Sequence, residues 1–137
     1  WIGCQAGNYI LHNPATKTST FHQLSEAENA TIRFITAGTG NSLWIGTQRG
    51  HLIKHDGATF TTVQKFNTIV RKVFIDKQGL IWVALEGDGL YCLNETGEKI
   101  LHHYAAGNED GDHLFQNNAF DIEQLNDSVI ICAAGAM

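Results

Sequence analysis

The sequence predicts an all-β protein assembled from repeated four-stranded antiparallel units, and three observations predict it. Trp1, Trp44 and Trp82 lie 43 and 38 residues apart, and each is followed 12 residues later by a turn-forming amide or acid, Asn13, Asp56 or Asn94. Twelve residues before Trp44 and Trp82 stand Ile32-Arg33-Phe34-Ile35 and Val70-Arg71-Lys72-Val73, so the register carries charge as well as hydrophobicity. Between these landmarks, short β-branched and aromatic runs alternate with Gly, Asp and Asn turns, which is how hairpin-linked strands read.

Each unit divides into four strands. The first are Ile32 to Ala37 and Val70 to Ile75, followed by the turns Gly38-Thr39-Gly40-Asn41 and Asp76-Lys77-Gln78-Gly79. The second are Leu43 to Thr47 and Ile81 to Leu85, apolar on both faces. Gly50, and Gly87 with Gly89, open the way to third strands at Leu52 to His55 and Leu90 to Leu93. After Asp56-Gly57 and Asn94 to Gly97 come outer strands, Thr59 to Val63 and Lys99 to Tyr104. The first unit keeps its last three strands, ending at Thr20 to Leu24. A fourth unit starts near Asn118 and continues through Val129 to Gly135, where its tryptophan is replaced and its register stays open to within one residue. The one helical candidate, Ser25 to Ala30, is a single capped turn without an apolar stripe.

A repeat of about 40 to 45 residues with four antiparallel strands is the signature of a β-propeller blade. The chain then comprises a partial blade 1-24, blades 32-66 and 69-104, and a partial blade 118-137 of a single propeller. The tryptophans are expected to wedge between blades. Since closed propellers need about four to eight blades, the chain is expected to be a fragment of a longer propeller, or to pair with another piece.

Composition narrows function by exclusion. A net charge of −5 with scattered Lys and Arg gives no nucleic-acid footprint. No apolar run approaches the roughly 18 residues of a membrane span, and no signal peptide is apparent. Cys4, Cys92 and Cys132 form no metal or disulfide spacing; Cys4 occupies the position of Thr47, Cys132 lies near the same place in the fourth unit, and both are expected to be small buried residues.

The residues Val70 to Trp82, which read Val-x-x-Val-x-x-Asp-x-x-Gly-x-x-Trp, together with Trp44-Ile45-Gly46-Thr47-x-x-Gly50 and Gly89-Leu90-Tyr91, resemble the two-component regulator propeller repeat. The resemblance covers nearly the whole chain. It implies part of the periplasmic sensor of a bacterial hybrid two-component system, homodimeric in the full-length protein, with a kinase elsewhere and an oligosaccharide as ligand. Three departures stand out: Gly38 in place of the turn aspartate, Ala84 in place of the glycine seen at Gly3 and Gly46, and a fourth unit without tryptophan.

Catalytic chemistry has no support in the motifs. No nucleophile elbow is present, and Glu86 with Asp88 read as a solvated turn rather than as a glycosidase pair. Of the seven histidines, His102 and His103 point to opposite strand faces, and His12 and His55 sit on different blades, so they read as solvated loop residues. Asn108 to Asp112 is superficially calcium-like but lacks an EF-hand spacing. No cofactor, metal or catalytic residue is assigned.

A binding surface is suggested instead by the rim where second strands turn into third strands and one blade passes to the next. Arg33 and Arg71 sit second in their innermost strands, and Gln48-Arg49 and Glu86 with Asp88 occupy equivalent turns there. Repeated guanidiniums beside a channel can hold the carboxylate or sulfate of an acidic sugar; the competing reading has both arginines filling space between blades and pairing with neighbouring acids. The competing function classes are a protein-interaction scaffold, hinted at by Phe66 and Phe115, and a propeller lyase or hydrolase.

Overall fold

The computed structural model describes residues 1–107 and 113–136. Strands β1 (Ile2–Gly3), β2 (Asn8–Asn13) and β3 (Thr18–Gln23) form blade 1. Strands β4 (Ile32–Ala37), β5 (Leu43–Thr47), β6 (His51–His55) and β7 (Phe60–Lys65) form blade 2. Strands β8 (Val70–Ile75), β9 (Ile81–Leu85), β10 (Gly89–Leu93) and β11 (Ile100–Tyr104) form blade 3. The hairpin β12 (Asn118–Asn126) and β13 (Val129–Gly135) begins blade 4. Every sheet is an antiparallel meander in sequence order, none closes on itself, and the architecture is that of a propeller fragment.

Adjacent residues of a strand point to opposite faces, and here each face meets a different blade. Ile45 and Ile53 join Tyr9, Leu24 and Ile32 between blades 1 and 2. Trp44 and Leu52 join Val70, Val73 and Val83 between blades 2 and 3. Ala84 and Leu90 join Ala119 and Ile122 between blades 3 and 4. At the outermost faces the same repeat positions are bare: Ile2 is 51% exposed where Ile45 and Val83 are fully buried.

Trp1 and Trp44 wedge against the next blade. Trp1 leans on His55 and Phe60 of blade 2, and Trp44 meets Gly97 of blade 3 so closely that a Cβ there would lie 2.7 Å from the indole. The glycine of Trp-Ile-Gly-Thr also has a packing cause. A Cβ on Gly3 or Gly46 would come within 2.4 Å of the first residue in the next innermost strand, Ile32 or Val70. Where the repeat has Ala84, that next residue is Ala119, and the two small side chains share one buried cluster. The departure at Ala84 is thus compensated across the blade interface.

Pairing fixes the fourth unit. Glu123 faces Ile131 as Phe74 faces Trp82 and Thr36 faces Trp44, so Ile131 replaces the tryptophan. Cys132 therefore corresponds to Ile45 and Val83, not to Thr47. Cys132 and Cys4 are half-buried rather than buried, because each lies in a terminal blade with an open face; Cys92, inside blade 3, is buried and its thiol is pushed up to about 11 by burial. The helical candidate is a 3-10 turn, Ser25–Ala27, and its start at Leu24 has no side-chain cap. Phe66 is no rim residue: it is buried in the interface between blades 2 and 3 and packs against Tyr91. The acidic stretch 108–112 lies outside the described residues.

Candidate functional site at the inner-strand rim

The rim is built the same way in both complete blades. Gln48 N–H donates to the Thr31 carbonyl at 2.8 Å, and Glu86 N–H donates to the Ile69 carbonyl at 3.1 Å. Each bond ties the turn after a second strand to the residue before the first, so turn and innermost strand meet at one level.

At that level each innermost strand carries a bulge. Ile32 pairs with Thr47 and Phe34 with Gly46, which leaves Arg33 unpaired; Arg71 is left out in the same way between Val70 and Lys72. In blade 4 the ladder skips Phe120 between Ala119 and Asp121. A bulge bends the strand and re-aims the side chain of the extra residue. Arg33, Arg71 and Phe120 therefore occupy one repeat position, and Phe34, Lys72 and Asp121 the next.

Residues of each set touch from blade to blade. The Arg71 guanidinium lies 5.6 Å from the Phe120 ring centroid, and Lys72 Nζ lies 5.3 Å from that of Phe34 while forming an ion pair with Asp121. That ion pair, with the Ile122 N–H, holds the Asp121 carboxyl below the usual range.

The two arginines differ in charge environment. Arg71 Nη2 lies 2.6 Å from Glu86 Oε2, both side chains being about three-quarters buried. Blade 2 has Gln48 where blade 3 has Glu86, and Arg33 is exposed with no ion pair among the described residues. The competing sequence reading, an arginine filling space and pairing with an acid, thus describes Arg71 and not Arg33.

The other rim residues divide between two blades. Arg49 Nη1 donates to the Glu28 carbonyl at 3.2 Å, and Gln48 and Arg49 line a hollow of about 340 Å³ with Asn29 and Thr31. Glu28 and Asn29 both have left-handed backbones, φ 48° and 60°, a conformation that non-glycine residues adopt at a cost. Arg33 lines a separate hollow with Trp1, Gly3 and Phe34. Asp88 is engaged within blade 3: Tyr91 Oη donates to its carboxylate at 3.1 Å, and His103 Nε2 lies 2.8 Å from its carbonyl. Burial and the Asp88 charge push the Tyr91 phenol up to about 12, so it stays a donor, and the His103 ring stacks on it at 4.0 Å.

His51 is a polar residue that sequence reasoning missed. Read as solvated, it is 3% exposed at the start of β6, against Glu28 of the linker that joins blades 1 and 2. Its Nδ1 lies 3.1 Å from Thr47 Oγ1, and its Nε2 lies 2.6 Å from Lys65 Nζ and 3.3 Å from Glu28 Oε2. Burial first, then the charges of Lys65 and Arg49, lower its pKa against the opposing pull of Glu28. No local signal marks it, since the burial comes from a linker more than twenty residues away. Among the described residues no group of three or more His, Cys, Asp or Glu side chains is placed to hold a metal ion.

By fold, then, the chain is a propeller segment whose rim carries a bulge arginine in each of two neighbouring innermost strands. No family model matches the sequence, and no curated protein matches it either. Among solved structures it is similar to a protein described as the extracellular domain of the hybrid two-component system BT3049 from B. thetaiotaomicron. The TM-score is 0.68 at 22% identity, over 89% of this chain and 16% of that one. The likeness is one of fold.

Proposed function

We propose that this chain is part of a non-catalytic, ligand-sensing propeller on the extracytoplasmic, periplasmic side of a hybrid two-component system, where it responds to an oligosaccharide. The fold neighbour is itself an extracellular domain of such a system, which supports the setting. The remainder of the propeller is its first partner, and the sensor acts as a homodimer.

The observation that carries the ligand reading is the repeated bulge with unequal neutralisation. Two guanidiniums stand at the same repeat position of neighbouring innermost strands, and among the described residues only Arg71 has a carboxylate partner. Arg33 is left as an exposed cation beside the hydrophobic Phe34, a pairing that suits an anionic group carried on a sugar ring. A charge-assisted hydrogen bond of this kind contributes about 1.5–3 kcal/mol.

Calorimetric titration of the full-length protein with a sulfated or uronic-acid oligosaccharide, and with a neutral one of the same length, tests this. The proposal expects saturable binding of the acidic ligand that weakens with added salt. Equal binding of the two ligands, or binding of neither, would overturn it.

A further inference from the structure

One ring nitrogen of His51 meets two partners of opposite chemistry. Nε2 lies 2.6 Å from the Lys65 ammonium, which only donates hydrogen bonds, and 3.3 Å from the Glu28 carboxylate, which only accepts them. An imidazole nitrogen offers either a lone pair or an N–H, never both, so Nε2 serves one of the two at a time. The other nitrogen is fixed. Nδ1 lies 3.1 Å from Thr47 Oγ1, an oxygen that already accepts the His51 backbone N–H at 3.0 Å and keeps a second lone pair for an Nδ1–H.

The charge of the ring decides which partner is served. In the neutral ring Lys65 takes the Nε2 lone pair, and the proton sits on Nδ1, bonded to Thr47. In the charged ring Nδ1–H stays on Thr47, Nε2–H turns to Glu28, and Lys65 is repelled. The charged groups around the ring come from three elements: Lys65 from β7, Glu28 from the linker and Arg49 from the turn before β6, while β5 supplies the Thr47 hydroxyl. The pivot is buried and its arms are not, for the His51 side chain is 4% exposed, that of Glu28 is 69% exposed, and Lys65 is exposed. Glu28 is also the residue through which the linker is held. Its backbone is left-handed and its carbonyl accepts Arg49 Nη1–H, so a pull on its side chain acts on a conformation that is already costly.

We propose that His51 is a proton-operated selector: neutral, it holds the outer strand of blade 2 through Lys65; charged, it releases Lys65 and holds the linker of blades 1 and 2 through Glu28. Lys65 faces His51 across the ladder at the end of the blade that carries Gln48 and Arg49. Acidification therefore sets an ammonium loose on that rim and ties the linker beside it to blade 2. The device belongs to blade 2, since the repeat has Gly89 in the place of His51 in blade 3. The proposal rests on the fold and not on the ligand reading, and its test contains no ligand, so either fails without the other.

Nuclear magnetic resonance of the full-length protein with isotope-labelled histidine, titrated from about pH 8 to about pH 4.5, tests it, His51→Gln identifying the ring signals. At the upper end the neutral ring should carry its proton on Nδ1, and a nuclear Overhauser contact should join the ring to the Lys65 side chain. That contact should disappear with the midpoint at which the ring titrates. Lys65→Met should raise this midpoint and Glu28→Gln should lower it, each by about half a unit or more. A neutral ring protonated on Nε2, or a Lys65 contact that survives the titration, overturns the proposal without recourse to any variant. A midpoint that either exchange leaves in place, or that both move the same way, overturns it as well.

Discussion

Blades 2 and 3 have the same four strands in the same order, yet they differ at both ends of the second strand. At one end blade 3 has Asp76, whose carboxylate accepts the N–H groups of Gln78 and Leu80 and the indole N–H of Trp82, at 3.0, 2.8 and 2.8 Å. Blade 2 has Gly38 there, and its turn is closed by Ser42 Oγ donating to the Thr39 carbonyl. Trp44 is held by what covers it, whereas Trp82 is held by what it hydrogen-bonds. At the other end blade 3 neutralises its bulge arginine with Glu86, and blade 2 gives Arg33 no ion pair among the described residues. One repeat can thus keep its backbone while exchanging a packing anchor for a polar one, and a closed charge pair for an open charge.

The largest expected effect breaks the comparison at the tryptophans. Trp44→Ala removes a fully covered wedge and should cost about 3–5 kcal/mol in urea unfolding. Trp82→Ala, at a half-buried indole, should cost less than half as much. Equal losses would show that the two indoles are packed alike. Next comes the covering turn. Gly97→Val forces a side chain into Trp44 at positive φ and should cost about 2–4 kcal/mol. Gly40→Ala, also at positive φ but with nothing within 4 Å of its Cβ position, should cost about 1 kcal/mol.

A smaller effect belongs to blade 2 alone, because its buried His51 is replaced in blade 3 by Gly89. The folded pKa of His51 is lowered, so the unfolded chain takes up this proton first as pH falls. Its contribution is complete above the unfolded value near 6.5 and is lost progressively below it. Unfolding midpoints measured between pH 7.5 and pH 5 should fall, and His51→Gln should flatten that part of the slope; an unchanged slope would show that His51 titrates alike in both states.

Much of this fold can be read by counting. The first and second strands of both complete blades run as their spacing predicts, Ile32–Ala37, Leu43–Thr47, Val70–Ile75 and Ile81–Leu85, because the repeat fixes their register. The third strands start one residue earlier, at His51 and Gly89, where backbone pairing and not hydrophobicity sets the end. Blade 4 was illegible at Ile131 because the substituted tryptophan was the landmark, and its register emerges only from pairing with β12. The bulges were also hidden: a residue omitted from a ladder leaves no mark in composition, although the repeated Arg33 and Arg71 lay at the right place. That Glu86 closes on Arg71 while Gln48 leaves Arg33 open is a one-atom-class difference whose meaning depends on the turn and the strand meeting in space.

In the proposed role it is the exposed guanidinium of blade 2, and not the paired one of blade 3, that engages an anionic sugar. It is tested most directly by titrating an acidic oligosaccharide into the full-length protein and its Arg33→Ala and Arg71→Ala variants. The account predicts that Arg33→Ala weakens binding by about tenfold or more, while Arg71→Ala, whose charge is already met by Glu86, changes it by less. Unchanged affinity in Arg33→Ala would contradict it.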